Sequence, residues 1–184
     1  MRVVLHVCCG PCAVYPVDLL RQEGVTISGF FYNPNIHPFR EFQQRIAALE
    51  EFADRVDFPL VIDREYGLRA FLREIVFHED DRCGRCYFMR LAATARHALS
   101  VGADAFSSTL LYSRYQKHDE IRRLGEALAA QHGIDFYYRD FRQGWQDGVN
   151  RSRTMGLYRQ PYCGCIYSEE ERFDKQWRRR QAKR

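Results

Sequence analysis

The first residues of the chain, Met1-Arg2-Val3-Val4-Leu5-His6-Val7-Cys8-Cys9-Gly10-Pro11-Cys12, carry its strongest fold signal. Residues 3–7 form a short apolar run of the length and type expected for a buried strand. Gly10 and Pro11 end that strand in a turn. Residues 13–22 are predicted to form a helix that Gly24 closes. This order predicts an α/β protein.

Strand-like and helix-like segments alternate along the rest of the chain. Strands are predicted at residues 26–32, 59–62, 103–108 and 134–138. Helices are predicted at residues 39–55, 68–77, 87–100, 119–131, 145–155 and 168–180, the last with Ser168 as its cap. Helical crossovers between strands imply a mainly parallel sheet covered on both faces. We therefore predict one three-layer, Rossmann-like α/β domain over residues 1–184, with a basic helix or tail from residue 168 onward.

The composition narrows the class of protein. The 184 residues suffice for a packed core, and a hydrophobic content of 46% argues against disorder. No apolar run approaches the roughly 18–20 residues of a membrane helix, and residues 1–7 are too short for a secretory signal. A cytoplasmic protein without membrane association is expected. Residues 172–184 hold seven basic residues against one acid, which suits either a phosphate backbone or a solvated terminus.

All seven cysteines fall into three tight groups. They are Cys8, Cys9 and Cys12, then Cys83 and Cys86, then Cys163 and Cys165. Clustering favours metal ligation over packing, because several sulfurs must converge on one point. A Cys-x-x-Cys pair alone does not distinguish zinc, iron–sulfur and redox sites. Iron–sulfur clusters accept irregular ligand spacing. The simplest set of four ligands is therefore Cys8, Cys9, Cys83 and Cys86.

The remaining cysteines leave two alternatives. Cys163 and Cys165 are predicted either to close a small, strained disulfide or to chelate a second metal together with Cys12. His6 is predicted to be a hydrogen-bonded neighbour of the cysteine loop. Cys8 directly follows the first strand and residues 107–111 follow the fourth, so both loops are expected at the ligand-binding edge of a parallel sheet.

Five blocks of sequence give a more specific signal than any cysteine pair. They are His6-Val7-Cys8-Cys9-Gly10-Pro11, Gly29-Phe30-Phe31-Tyr32-Asn33-Pro34-Asn35-Ile36-His37-Pro38, Arg82-Cys83-Gly84-Arg85-Cys86-Tyr87, Ser108-Thr109-Leu110-Leu111, and Gly156-Leu157-Tyr158-Arg159-Gln160-Pro161-Tyr162-Cys163-Gly164-Cys165-Ile166-Tyr167-Ser168. With these blocks in this order, nearly the whole chain resembles the QueH-type epoxyqueuosine reductases.

The resemblance implies an oxidoreductase that converts epoxyqueuosine to queuosine at the wobble position of tRNA, the final step of queuosine biosynthesis. It also implies an iron–sulfur cofactor, a [4Fe–4S] cluster on Cys8, Cys9, Cys83 and Cys86. A second, mononuclear iron beside the cluster, or zinc in its place, is implied as well. Some members carry an aspartate at the position of Cys12, where a thiolate would make a softer metal site.

The resemblance further implies that Cys163 and Cys165 are redox-active. This dithiol can store two electrons, whereas a cluster passes one at a time, and an electron donor must supply both. The epoxide oxygen needs an electrophile, which the second metal, Tyr112 or His118 would provide. Contacts to tRNA are predicted from the loops after the second and fourth strands and from one later arginine: Asn33, Asn35, His37, Ser108, Thr109, Arg114 and Arg159.

Three rival functions remain open at the level of sequence. A zinc-stabilised RNA-binding module would use the same cysteines without catalysis. A nucleotide-dependent thiolation or ligase enzyme would need a Gly/Ser-rich turn where this chain has Cys-Cys-Gly-Pro-Cys, so no use of ATP is expected. A thiol–disulfide oxidoreductase built on Cys83 and Cys86 would leave five clustered thiols without a task.

Overall fold

The computed structural model describes residues 1–176. Its five strands are β1 (Arg2–His6), β2 (Thr26–Phe31), β3 (Leu60–Ile62), β4 (Ala105–Ser108) and β5 (Asp135–Phe136). They form one sheet in the order β3-β2-β1-β4-β5, and every neighbouring pair is parallel. The predicted parallel, Rossmann-like sheet is confirmed.

The described residues contain seven α-helices that flank the sheet. They are α1 (Gly10–Gln22), α2 (Phe39–Val56), α3 (Leu68–Ile75), α4 (Arg82–Ser100), α5 (His118–His132), α6 (Trp145–Thr154) and α7 (Ile166–Phe173). They form two groups, since α1 packs against α2 and α6, whereas α4 packs against α5 and the central strands. No helix in residues 1–176 combines the length and the apolar character needed to cross a membrane.

The central strand β1 explains why the sheet is covered on both faces. Val3, Val4 and Leu5 are buried, although neighbouring side chains of a strand point to opposite faces. A parallel strand between two helical layers requires such a continuous apolar run. The N-terminal sequence therefore places β1 in the middle of the molecule, with β2 and β4 on either side.

Three predicted helix starts are wrong, and in each case the observed start places a cysteine inside the helix or at its cap. Helix α1 begins at Gly10 instead of residue 13, because Pro11 is tolerated in a first helical turn, so Cys12 lies in the helix. Helix α4 begins at Arg82 instead of residue 87 and therefore includes the second cysteine pair. Helix α7 begins at Ile166, with Cys165 as its cap instead of Ser168. The predicted continuation to residue 180 and most of the basic tail extend beyond the described residues.

Gly10 permits a close approach between α1 and α2, and this contact gives a testable prediction. A Cβ atom at Gly10 would lie 2.5 Å from the carbonyl oxygen of Ala48, a backbone atom that cannot move independently of α2. We expect Gly10→Ala to reduce the free energy of unfolding of the metal-free protein by about 1–3 kcal/mol. Urea denaturation measures this difference.

Gly84→Ala is the matched control within α4. A Cβ atom there would meet the side-chain oxygens of Glu120 and Asp81, at 2.5 and 2.7 Å, and both can rotate away. Because alanine favours helix over glycine, we expect no loss of stability and up to about 1 kcal/mol of gain. Equal unfolding free energies for Gly10→Ala, Gly84→Ala and the wild type would contradict the close approach.

Candidate metal centre and active site

The candidate site lies at the carboxyl ends of β1 and β4, where the chain connections diverge to the two halves of the sheet. This switch point is the usual ligand site of an open parallel sheet. Cys8 follows β1 and Thr109 follows β4. The Thr109 hydroxyl accepts a hydrogen bond from the Cys8 amide at 3.2 Å and lies 3.5 Å from the Cys8 sulfur. A cavity of about 550 Å³ opens here, as the sequence predicted for these two loops.

The first thiol group converges on one point. The sulfurs of Cys8, Cys9 and Cys12 all lie within 4.8 Å of one another, and those of Cys8 and Cys9 are 3.8 Å apart. In an extended strand the side chains of Cys8 and Cys9 would point in opposite directions. The turn between β1 and α1 directs both of them to one site. Hydrogen bonds from Cys12 and Cys9 hold the pKa of Cys8 well below its usual value. Burial raises the pKa of Cys9 to about 12.

The second thiol group occupies the first turn of α4. Cys83 and Cys86 are three residues apart and therefore lie on the same side of the helix. Cys86 is buried beside Phe71 and Ile75, and burial raises its pKa to about 12. Cys165 packs against the same small cluster, which brings the third thiol group to the second.

The third thiol group is held by backbone contacts. Arg45 donates hydrogen bonds to the carbonyl oxygens of Cys163 and Tyr162, at 2.7 and 3.1 Å. The amide of His37 donates to the Gly164 carbonyl at 2.8 Å. Cys163 lines the cavity, where its sulfur accepts a hydrogen bond from Gln116 at 3.3 Å. All seven cysteines are free thiols.

Arg90 connects the first and second thiol groups. Its side chain on α4 is buried, with 2% exposed, and it lines the cavity together with Cys8. One guanidinium nitrogen donates to the Cys86 sulfur at 3.7 Å, and Nε lies 3.4 Å from His6 Nε2. Within residues 1–176 its guanidinium pairs with no carboxylate. Its positive charge helps to lower the pKa of Cys8 and counteracts the rise at Cys86.

His6 is a structural neighbour of the cysteine loop, as predicted. Its Nδ1 lies 2.9 Å from the Ser108 hydroxyl, and Nε2 lies 3.3 Å from the Tyr32 carbonyl. Burial and the charge of Arg90 lower its pKa to about 3, so the ring is neutral. Ser108 also accepts from the Leu110 amide at 3.1 Å, which makes it a buried turn residue instead of an exposed contact.

The other predicted site residues divide into two sets. Tyr112, Thr109 and Arg159 line the cavity. Arg114 is exposed beside it. His118 does not reach the cavity: it is buried at the start of α5, with Nε2 3.0 Å from the Tyr138 hydroxyl.

The loop after β2 is structural where it touches the site. Asn33 donates to the Val7 carbonyl at 2.9 Å, and His37 Nε2 lies 3.0 Å from the Pro34 carbonyl. Asn35 is buried beside Gly164. The buried side-chain oxygens of Asn33 and Asn35 have no hydrogen-bond partner in the described structure. This loop therefore packs against the third thiol group at Gly164 and helps to hold it in place.

Sequence reasoning missed several residues of the site. Arg90 lies four residues after Cys86, a spacing that would have pointed to it if α4 had been extended to Arg82. Gln160 donates to Cys9 at 3.0 Å and lies 3.9 Å from Cys12. Trp145 lines the cavity and carries no short-range sequence signal.

Fold and site together define an α/β protein with a thiol cluster suited to a metal at the switch point of its sheet. Residues 3–171 match the family model described as epoxyqueuosine reductase QueH. The chain belongs to this family, and it is an oxidoreductase of queuosine biosynthesis, as the resemblance implied.

Two curated relatives named epoxyqueuosine reductase QueH are similar over almost their whole length. The protein from Dehalococcoides mccartyi is 38% identical, over 95% of this chain and 96% of the relative. The protein from Thermotoga maritima is 33% identical, over 94% and 93%. A predicted tRNA methyltransferase subunit from Methanocaldococcus jannaschii shares the fold alone, with a TM-score of 0.52 and 14% identity over 83% of this chain and 76% of its own.

Proposed function

We propose that this enzyme reduces epoxyqueuosine in tRNA through a [4Fe–4S] cluster bound by Cys8, Cys9, Cys83 and Cys86. The observation that carries the proposal is the buried guanidinium of Arg90 between the first and second thiol groups. A buried cation without a carboxylate partner is costly unless another anion lies beside it. Four thiolates on one cluster supply that negative charge.

Cys83 and Cys86 do not belong to the group in which the sulfurs of Cys8, Cys9 and Cys12 lie within 4.8 Å of one another, which favours a cluster over a single ion at the four proposed ligands. Each thiolate of a cubane binds a different iron, so the ligands need not approach one another as closely as on one ion. When bound, the cluster supplies one-electron transfer. Cys12, Cys163 and Cys165 remain outside this ligand set. They either bind a second, mononuclear iron or zinc together, or Cys163 and Cys165 act as a redox-active dithiol.

The dithiol of Cys163 and Cys165 offers a balanced source of reducing equivalents. Conversion of the epoxide to an alkene consumes two electrons and two protons and releases the oxygen as water. Oxidation of this dithiol to a disulfide supplies both electrons and both protons. An electron donor must then reduce the disulfide again. The residue between the two thiols, Gly164, has a φ of +153°, a conformation that residues with a side chain rarely adopt.

Tyr112 is the better placed of the two predicted proton donors. Its ring lines the cavity, and its hydroxyl donates to the Trp145 carbonyl at 2.9 Å. Burial raises its pKa, so the phenol keeps its proton at neutral pH and would act as a hydrogen-bond donor to the epoxide oxygen, although the same shift makes it a weaker acid. His118 lies outside the cavity, which leaves it a positioning role at most.

The tRNA would approach over the exposed side of the cavity. Arg159 in its wall and Arg114 beside it offer cations to phosphate, and the sequence of residues 172–184 contains seven more basic residues. Thr109 is a polar contact beside Cys8. In this proposal the enzyme acts on tRNA in the cytoplasm and does not use ATP.

Anaerobic reconstitution tests this function directly. The protein is loaded with iron and sulfide, given a chemical reductant and epoxyqueuosine-containing tRNA without ATP, and the nucleosides are analysed by mass spectrometry. We expect loss of one oxygen atom and formation of queuosine, whereas a zinc-loaded sample leaves the epoxide intact. Persistence of the epoxide in the iron-loaded sample would overturn the proposal, and turnover by the zinc-loaded sample would overturn the role of the cluster.

A further inference from the structure

A row of aromatic rings leads to the cavity, and three of them, Tyr112, Trp145 and Tyr115, line it. Tyr15 and Tyr112 stack with ring centroids 6.2 Å apart, and Tyr112 and Trp145 lie 5.0 Å apart. Tyr115 meets Trp145 edge to face at 5.5 Å. The row thus runs from the half-buried Tyr15 to the exposed Tyr115.

The outermost ring is presented to solvent. Tyr115 is 85% exposed, whereas Tyr112 is 2% exposed. A single exposed aromatic is common on protein surfaces. This one differs, because it lines the same cavity as Cys8 and Cys163 and is in contact with the ring of Trp145. Its ring is therefore available to a ligand on the way to the thiols.

Charge around Tyr115 points to the class of that ligand. Arg114 and Lys117 flank it and are exposed, and Arg159 lies in the cavity wall. Aromatic rings combined with cations are the usual means of binding single-stranded nucleic acid, since bases stack on the rings and phosphates pair with the cations. A small apolar ligand would not need the cations.

The reaction itself demands such a surface. A modified base in an anticodon loop must leave its neighbours in order to reach thiols inside a cavity, and the neighbouring base then loses a stacking partner. We infer that Tyr115, supported by Trp145, is the stacking platform for the nucleobase adjacent to the modified base. The inference rests on tRNA being the substrate, as proposed above.

The test measures binding of synthetic anticodon hairpins to the iron-loaded enzyme without reductant. One hairpin is complete, and two others lack the base on the 5′ or the 3′ side of the wobble position. We expect Tyr115→Ala to weaken binding of the complete hairpin about tenfold. The wild type should lose a similar factor on one hairpin with a missing base, and Tyr115→Ala should lose nothing further on that hairpin.

Two controls separate stacking from other roles. Tyr115→Phe should bind like the wild type, since it keeps the ring. Phe77→Ala removes an aromatic that is 90% exposed and does not line the cavity, and it should leave binding unchanged. The slope of affinity against salt should stay the same in Tyr115→Ala, whereas loss of a phosphate contact would reduce it by about one.

Unchanged binding by Tyr115→Ala would overturn the inference, as would equal further losses on both hairpins that lack a base. This failure is distinct from failure of the proposed function, because turnover of epoxyqueuosine by the wild type is measured separately.

Discussion

Replacing Cys86 with serine is expected to remove the iron–sulfur chromophore of the reconstituted enzyme and to lower turnover by about 100-fold or more. Outer-shell partners of metal sites already contribute roughly 10–100-fold, so loss of a ligand should cost at least as much. Cys86 is the sharpest choice because it lies in α4, far in sequence from Cys8, and touches Arg90. Absorbance near 400 nm, iron content and turnover are the measurements.

Cys163→Ser is the matched control for this prediction. We assign Cys163 to the redox pair instead of the cluster, so this variant should keep its absorbance near 400 nm while losing turnover. Thermal unfolding of both variants shows whether they are folded. A Cys86→Ser protein with full chromophore and iron content would contradict the proposed ligand set.

Replacing Arg45 with methionine is expected to destabilise the protein by about 3–5 kcal/mol, the usual cost of leaving one partner of a buried ion pair alone. Arg45 pairs with Glu41 at 2.7 Å, and the two side chains are 1% and 7% exposed. The same guanidinium holds the carbonyl oxygens of Tyr162 and Cys163, which would lose their donor. Urea denaturation of the metal-free protein measures the loss, and faster alkylation of Cys163 would report release of the third thiol group.

Arg55→Met on the same helix is the control, because Arg55 also pairs with a glutamate four residues earlier. Its side chain and that of Glu51 are 44% and 45% exposed, so solvent already screens the pair. We expect a change within about 1 kcal/mol and no effect on Cys163. Similar losses in the free energy of unfolding for Arg45→Met and Arg55→Met would contradict the expectation that burial makes the Arg45–Glu41 pair the more important one.

The fold could be predicted because its signals are local. A short apolar run such as residues 3–7, followed at once by Gly10 and Pro11, is typical of a strand buried on both faces, and left-handed glycines such as Gly24 and Gly133 mark helix ends. The helix starts were missed where a cysteine-rich turn continues directly into a helix. Propensity does not show that Pro11 belongs to a first helical turn, or that Cys165 takes the capping role assigned to Ser168.

The site was only partly predictable because its remaining parts depend on tertiary packing. The sequence identified the cysteines by their clustering, and the cavity brings Cys8, Cys12 and Cys163 to its walls. It could not reveal that His118 turns towards Tyr138, since both outcomes suit a polar loop. Arg90 was missed because α4 was started too late to show that this arginine lies one turn after Cys86, and its approach to the first thiol group depends on the packing of α4 against β1.

Anomalous X-ray scattering at the iron edge, from crystals of the reconstituted enzyme, tests the central claim most directly. The account predicts a cluster of iron atoms within bonding distance of the sulfurs of Cys8, Cys9, Cys83 and Cys86, with the Arg90 guanidinium beside it. Iron confined to the sulfurs of Cys8, Cys9 and Cys12, with both cysteines of α4 unbound, would contradict it.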